Sequence, residues 1–160
     1  MLRLINMNKD KKLIDELAQA SWHGTPLDIY KCLVKGANPN ARLTKNGITP
    51  IMLAARNGLI TNVMFLKLRG ADINALTDWN YNALMWASFN GHVSVVDYLI
   101  KCGADVLAID KYGSTARTEA SQKNNREIVK MLKKAEENQL ARTQTTTNGL
   151  DNMASFKRQE

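Results

Sequence analysis

Apolar residues recur along this chain in pairs of short runs with helical spacing. The longer runs follow Gly58, Gly91 and Asn124, and in each of them apolar side chains recur at i, i+3 and i+4. A shorter run precedes each of these positions and begins after a polar residue such as Thr49 or Asn82. The pattern predicts pairs of amphipathic helices that are joined by tight turns.

The same arrangement is repeated at a nearly constant interval. Gly36, Gly70 and Gly103 each begin a Gly-Ala segment, and they are separated by 34 and 33 residues. A period of this length is typical of stacked supersecondary units, each of which buries its apolar face only against its neighbours. We therefore expect a repeat protein that presents an extended binding surface.

Three sets of equivalent positions recur every 33 residues, and each has a backbone role. The set that provides an N-cap before the first helix of a unit is Thr49, Asn82 and Thr115. The set that ends this helix by adopting a positive φ is Gly58, Gly91 and Asn124. The set that forms a hairpin-like turn between units is Gly47, Asn80 and Gly113.

A first unit is present in less regular form. Residues 19–24 align with residues 86–91, so we expect a first helix from about Leu13 to Trp22. The second helix of this unit should begin after Thr25, with proline in its first turn.

The fourth unit keeps the turn but places polar side chains, including Arg117 and Glu119, on its first helix. A stack must end in a face that tolerates water, so this polarity predicts a capping repeat.

Residues 47–58 and 70–75, with Val63 and Leu66, closely follow the core pattern of the ankyrin repeat. The chain resembles that family over about residues 13–135, although methionines replace its usual histidine in two units. The resemblance implies an all-α ankyrin-repeat solenoid of helix-turn-helix units with short hairpin-like loops, and we expect eight helices.

The boundaries follow from this register. We expect an N-terminal extension over residues 1–12 and an ankyrin-repeat domain over 13–135, with repeats at about 13–43, 44–76, 77–109 and 110–135. Residues 136–160 should contain the end of the last helix and a mostly disordered tail, because Gln, Thr and Asn replace the apolar periodicity from there on.

Composition narrows the classes of function. The 160 residues carry a net charge of +7, but residues 77–109 carry −2, which interrupts the basic excess and disfavours a continuous phosphate-binding stripe. We expect no catalytic site, cofactor or metal site, because two histidines and no nucleophile or phosphate-loop motif are present. We also expect neither a secretory signal nor a membrane-spanning segment.

The two cysteines indicate the compartment. Cys32 and Cys102 lie two repeats apart, which is on the order of 20 Å and too far for a disulfide. A chain of this kind suits the reducing cytoplasm.

The resemblance also predicts the binding surface. Ankyrin stacks usually bind partners with the hairpin tips and the exposed part of each first helix, which form a concave face. The candidate partner-binding residues at these positions are Trp22, Lys45, Asn46, Ile48, Arg56, Asn57, Trp79, Tyr81, Phe89, Asn90 and Tyr112.

Aromatic and Arg side chains are concentrated in this set, and such side chains carry most of the energy of many interfaces. Trp22, Arg56 and Phe89 are equivalent positions on successive helices, so Arg56 is expected between the other two, where it can hold a carboxylate. Trp86 is expected in the core. Alternatives stay open for Trp79 and Tyr81, either of which can instead pack on a neighbouring hairpin, and for Trp22, which can cover the N-terminal end of the stack.

The sequence therefore predicts a non-enzymatic protein–protein interaction module. We expect it to be a monomer and its partner to carry acidic and large apolar groups. An adaptor role and a role as a bacterial effector that is exported into a host cell are both compatible with it. The alternative is an electrostatic binder of nucleic acid or anionic lipid, which the net charge of +7 suggests.

Overall fold

The computed structural model describes the backbone of residues 2–156 and the side chains of residues 10–143. This part of the chain is all helical and contains no β-strand. Its eight helices are α1 (Leu2–His23), α2 (Pro26–Val34), α3 (Pro50–Arg56), α4 (Ile60–Leu68), α5 (Ala83–Phe89), α6 (Val93–Lys101), α7 (Ala116–Gln122) and α8 (Arg126–Phe156).

The helices form two layers. The first helices of the repeats, α1, α3, α5 and α7, pack side by side, and the second helices, α2, α4, α6 and α8, form the other layer. Each first helix also packs against the second helix of its own repeat. The result is the predicted solenoid of helix-turn-helix units.

A continuous hydrophobic core lies between the layers. Its largest fully buried side chains come from every repeat, including Leu17, Leu66, Leu99 and Leu132. Since each repeat supplies only part of this core, the burial of one repeat depends on its neighbours.

The predicted backbone roles are confirmed. Thr49, Asn82 and Thr115 are the N-cap residues of α3, α5 and α7. All positions of the two positive-φ sets have the left-handed conformation, including the non-glycine residues Asn80 (φ 59°) and Asn124 (φ 57°). Short polar side chains tolerate this conformation, which explains why asparagine replaces glycine there.

Asparagine side chains join the repeats. Asn74 donates from Nδ2 to the carbonyl oxygen of Gly103 (3.2 Å), and its Oδ1 accepts from the amide of Asp105 (2.9 Å). Asn40 makes the equivalent two bonds to the next repeat. Leu107 stands at the corresponding position of the third repeat.

The terminal helices are longer than the sequence predicts. Helix α1 begins at Leu2, well before Leu13, and α8 continues to Phe156, where disorder is expected from the composition. Once a helix is anchored by packing, propagation adds one backbone hydrogen bond per residue, so it extends past the packed part. Residues 157–160 of the predicted tail lie outside the described residues.

Candidate functional site

In the layer of first helices, which the resemblance predicts to form the concave face, an arginine lies between two indole rings. The guanidinium carbon of Arg56 lies 4.9 Å from the ring centroid of Trp22 and 4.6 Å from that of Trp86. These residues belong to α3, α1 and α5, so the cluster spans three repeats. None of the five ion pairs between described residues includes Arg56.

Trp86 is the residue that the sequence analysis missed. It was expected in the core, and it is half-buried and packs against the core, but it also takes the place beside Arg56 that was expected for Phe89. The equivalent positions in the first and fourth repeats are Gln19 and Glu119, and polar residues there indicate that this position is not a purely internal one. The Nε1 atom of Trp86 is buried and has no hydrogen-bond partner among the described residues.

Tyr81 and Glu119 continue the cluster toward the fourth repeat. The Tyr81 ring meets the Trp86 ring edge-on, with centroids 4.8 Å apart. Burial, followed by the charge of Glu119 and a hydrogen bond to it, raises the pKa of Tyr81 well above its usual value. Because Glu119 is only 7% exposed, the polarity that was expected to cap the stack lies partly inside it.

Phe89 occupies a separate part of the face. Its ring is half-buried, and the Nζ atom of Lys123 lies 4.3 Å from the ring centroid. Asn90 follows it, is exposed, and donates from Nδ2 to the carbonyl oxygen of Trp86 (2.8 Å). Phe89 is thus covered by a cation of the fourth repeat, and it is not one of the two rings over which the Arg56 guanidinium lies.

The hairpin residues lie in a row. The amide of Asp78 donates to the carbonyl oxygen of Asn46 (3.0 Å), and the amide of Lys111 donates to the carbonyl oxygen of Trp79 (3.0 Å). Backbone hydrogen bonds therefore connect successive hairpins. Beside these bonds Lys45 is exposed.

The exposed aromatic rings of this row differ in accessibility. Trp79 is 39% exposed and Tyr112 is 81% exposed, and each is the second residue of its hairpin's tip. Ile48, by contrast, is half-buried and packs against the core. The row therefore offers two accessible aromatic anchors.

Two polar residues near the cluster connect repeats. Asn57 donates from Nδ2 to the carbonyl oxygen of Trp22 (2.7 Å). Nε2 of His92 lies 2.9 Å from the carbonyl oxygen of Arg56. These hydrogen bonds hold the C-terminal ends of α1 and α3 in place, and they thereby help to position Trp22 and Arg56.

Neither a metal-ligand cluster nor a membrane-spanning helix occurs among the described residues. No group of three or more His, Cys, Asp and Glu side chains in this part of the chain is arranged to hold a metal ion. A search for spans over the same residues found no helix with both the length and the apolar character to cross a membrane.

Comparison with known proteins agrees with this architecture. The family model described as ankyrin repeats (3 copies) matches residues 17–110 and 60–143, which is most of the chain. No curated protein matches the chain. Ankyrin repeats generally serve as protein–protein interaction modules, and the family is typically non-enzymatic. By the family match and the stacked helix pairs alike, the chain belongs to the ankyrin-repeat family.

Proposed function

We propose that the concave face binds a segment of a partner protein in which an acidic side chain contacts Arg56 and large apolar groups pack on the surrounding rings. The observation that carries this proposal is the position of the Arg56 guanidinium between Trp22 and Trp86 without a carboxylate from the described residues.

The stacking prepares Arg56 for a carboxylate. A guanidinium that lies between two rings has fewer orientations available, so little side-chain entropy is lost when its N–H groups bind two oxygens. A hydrogen bond to a charged group contributes about 1.5–3 kcal/mol, which corresponds to about 10- to 100-fold in Kd.

The flanking residues favour apolar groups on both sides of this contact. Trp22 and Trp79 are each 39% exposed, and Tyr112 is more exposed still. Aromatic side chains of this kind bury a large area while few rotamers are lost, and they are frequent hot spots.

The test uses a peptide-display library that is panned on the immobilised full chain. Enriched peptides should contain Asp or Glu between large apolar residues, and one of them is then synthesised for titration. We expect Arg56→Ala to weaken its binding about 10- to 100-fold. Arg56→Lys should restore only part of the loss, because lysine keeps the charge without the planar fork.

The matched control is Arg69→Ala. The Arg69 guanidinium also lies over two rings, those of Tyr30 and Phe65, but Arg69 is the C-cap residue of α4, in the other layer. Trp79→Ala with Tyr81→Ala should also weaken binding while the helical circular dichroism is unchanged. Enriched peptides without acidic residues, or equal losses for the two arginine variants, would refute the proposal.

The electrostatic alternative gives a different result in the same titration. Binding to nucleic acid or anionic lipid should weaken steeply with salt and be insensitive to the aromatic variants. A protein partner should depend strongly on the aromatic residues and only modestly on salt. The adaptor role, the action as a bacterial effector in a host cell and the monomeric state are further hypotheses that rest on the sequence.

A further inference from the structure

The second helices of the first two repeats expose a group of large apolar side chains. Leu27, Tyr30 and Val34 of α2 are 58%, 42% and 66% exposed, and Met64 and Leu68 of α4 are 47% and 79% exposed. Helices α2 and α4 pack side by side, so these residues form one surface, which we call the α2/α4 patch.

The later repeats show that this surface does not have to be apolar. The positions equivalent to Leu27, Tyr30 and Val34 are occupied in α6 by Ser94, Asp97 and Lys101 and in α8 by Glu127, Lys130 and Lys134. In α6 the acid and the lysine form an ion pair of 2.6 Å. The fold therefore accepts polar residues here, and the apolar ones have no role in the core.

The patch is bordered by two cations of the second repeat, Lys67 and Arg69, and the nearby acid Asp28 does not neutralise them. The Arg69 guanidinium carbon lies 5.4 Å from the ring centroid of Tyr30 and 4.9 Å from that of Phe65, so it bridges the two repeats above aromatic rings. No ion pair between described residues includes Arg69 or Lys67. Asp28 of α2 is already paired with Lys31.

We infer that the α2/α4 patch is a second docking surface, separate from the concave face, for an amphipathic helix of a partner protein whose apolar stripe is flanked by acidic side chains. Each of the two helices has nine residues, which is about 13 Å, so about two and a half turns of a partner helix cover the patch. Docking of this kind uses apolar anchors at i, i+3, i+4 and i+7. Acids beside that stripe would lie near Lys67 and Arg69.

Charge also argues against two other occupants. A second copy related by a two-fold axis would bring the cations of one patch toward the same cations of the other, which is unfavourable. An anionic bilayer gains about 1 kcal/mol per cation near its surface, so Lys67 and Arg69 together supply only about 2 kcal/mol. An acidic helix satisfies both the apolar stripe and the two cations.

The test compares two designed helical peptides on the full chain. Both have the same leucine stripe, which is flanked by Glu in one peptide and by Lys in the other. We expect the Glu-flanked peptide to bind at least about tenfold more tightly by fluorescence anisotropy. The double variant Lys67→Glu with Arg69→Glu should reverse this preference.

Variants of the apolar residues give the second arm. Val34→Ser and Leu68→Ser, each tested alone, should weaken binding of the Glu-flanked peptide by about tenfold or more. Both residues are exposed, so the fold should tolerate either change. The control is Asp97→Ala with Lys101→Ala at the equivalent positions of α6, which should leave binding unchanged, as should Arg56→Ala on the concave face.

Several results would overturn the inference. These are equal affinity for the two peptides, or a loss with the α6 control as large as with Leu68→Ser. A wild-type dimer in sedimentation velocity that Leu68→Ser dissociates would assign the patch to a second copy. Binding to phosphatidylserine vesicles with no binding of either peptide would assign it to a lipid surface. Since Arg56→Ala tests the concave face alone, failure of either proposal can be recognised independently.

Discussion

Gly58 is a position where one added methyl group tests the contact between two repeats. Its φ is +70°, and a Cβ atom there would lie 2.5 Å from Nδ1 of His92. The His92 ring cannot move away freely, because its Nε2 atom is hydrogen-bonded to the carbonyl oxygen of Arg56. We therefore expect Gly58→Ala to strain the backbone and also to displace the His92 ring.

Gly70 is the matched control, since its φ is +87° and a Cβ atom there would meet nothing within 4 Å. A left-handed backbone costs alanine about 1–2 kcal/mol. The stiffer unfolded chain offsets about 0.4–1 kcal/mol of this. Gly70→Ala should thus cost about 1 kcal/mol. For Gly58→Ala we add about 1 kcal/mol for the lost hydrogen bond and about 1 kcal/mol for the displaced ring, which gives about 3 kcal/mol.

The free energy of unfolding is measured in urea by far-UV circular dichroism for both variants, for His92→Ala and for Gly58→Ala with His92→Ala. When the same signal is followed during heating, the midpoint of thermal unfolding should fall by about 3 °C for Gly70→Ala and about 9 °C for Gly58→Ala. The double variant should be more stable than the sum of its single changes by about 1–2 kcal/mol, because removal of the ring removes the clash. Equal losses at the two glycines, or strict additivity in the double variant, would refute this reasoning.

Two further predictions concern hydrogen bonds at the ends of elements. Asn74→Ala removes the bonds to Gly103 and Asp105 that join the third repeat to the second, so the free energy of unfolding in urea should fall by about 1–2 kcal/mol; an unchanged midpoint would contradict this. The backbone amide and then the hydroxyl of Thr25 hold the pKa of Asp28 at about 2, below its ordinary 3.8. A carboxyl group whose pKa is lowered by folding stabilises the folded state above about pH 3.8, and this stability is lost as the pH falls through about 2. The free energy of unfolding of Asp28→Asn should therefore fall less steeply with decreasing pH than that of the unmodified chain. The same pH dependence in both proteins would contradict the assignment.

The terminal helices show where composition gives too little information. Thr145, Thr146 and Gly149 are weak helix formers, and the absence of apolar periodicity after residue 140 predicts disorder. The backbone of α8 is helical to Phe156 nevertheless. Composition does not contain the packing of Ile128 and Leu132 that anchors the start of this helix.

The sequence placed the candidate residues on successive first helices, but it did not give the contacts between them. The register placed Trp22, Arg56 and Phe89 at equivalent positions, and it led to the expectation that Arg56 would lie between the other two. Helical side chains lean toward the N-terminus of their helix, so the long side chain of Arg56 meets Trp86, one turn before Phe89, on the neighbouring helix. This one-turn offset is a relation between two neighbouring helices, so the sequence of a single repeat does not contain it.

The sequence by itself determined the repeat architecture, the N-caps and the left-handed positions such as Asn80 and Asn124, because caps and positive φ are local properties of a residue and its neighbours. Only the tertiary structure decided which ring lies beside Arg56, and only the packing of α2 beside α4 joined their exposed apolar residues into one patch. Both results depend on distances between side chains about one repeat apart in sequence, and these distances are set by the stacking of whole helices.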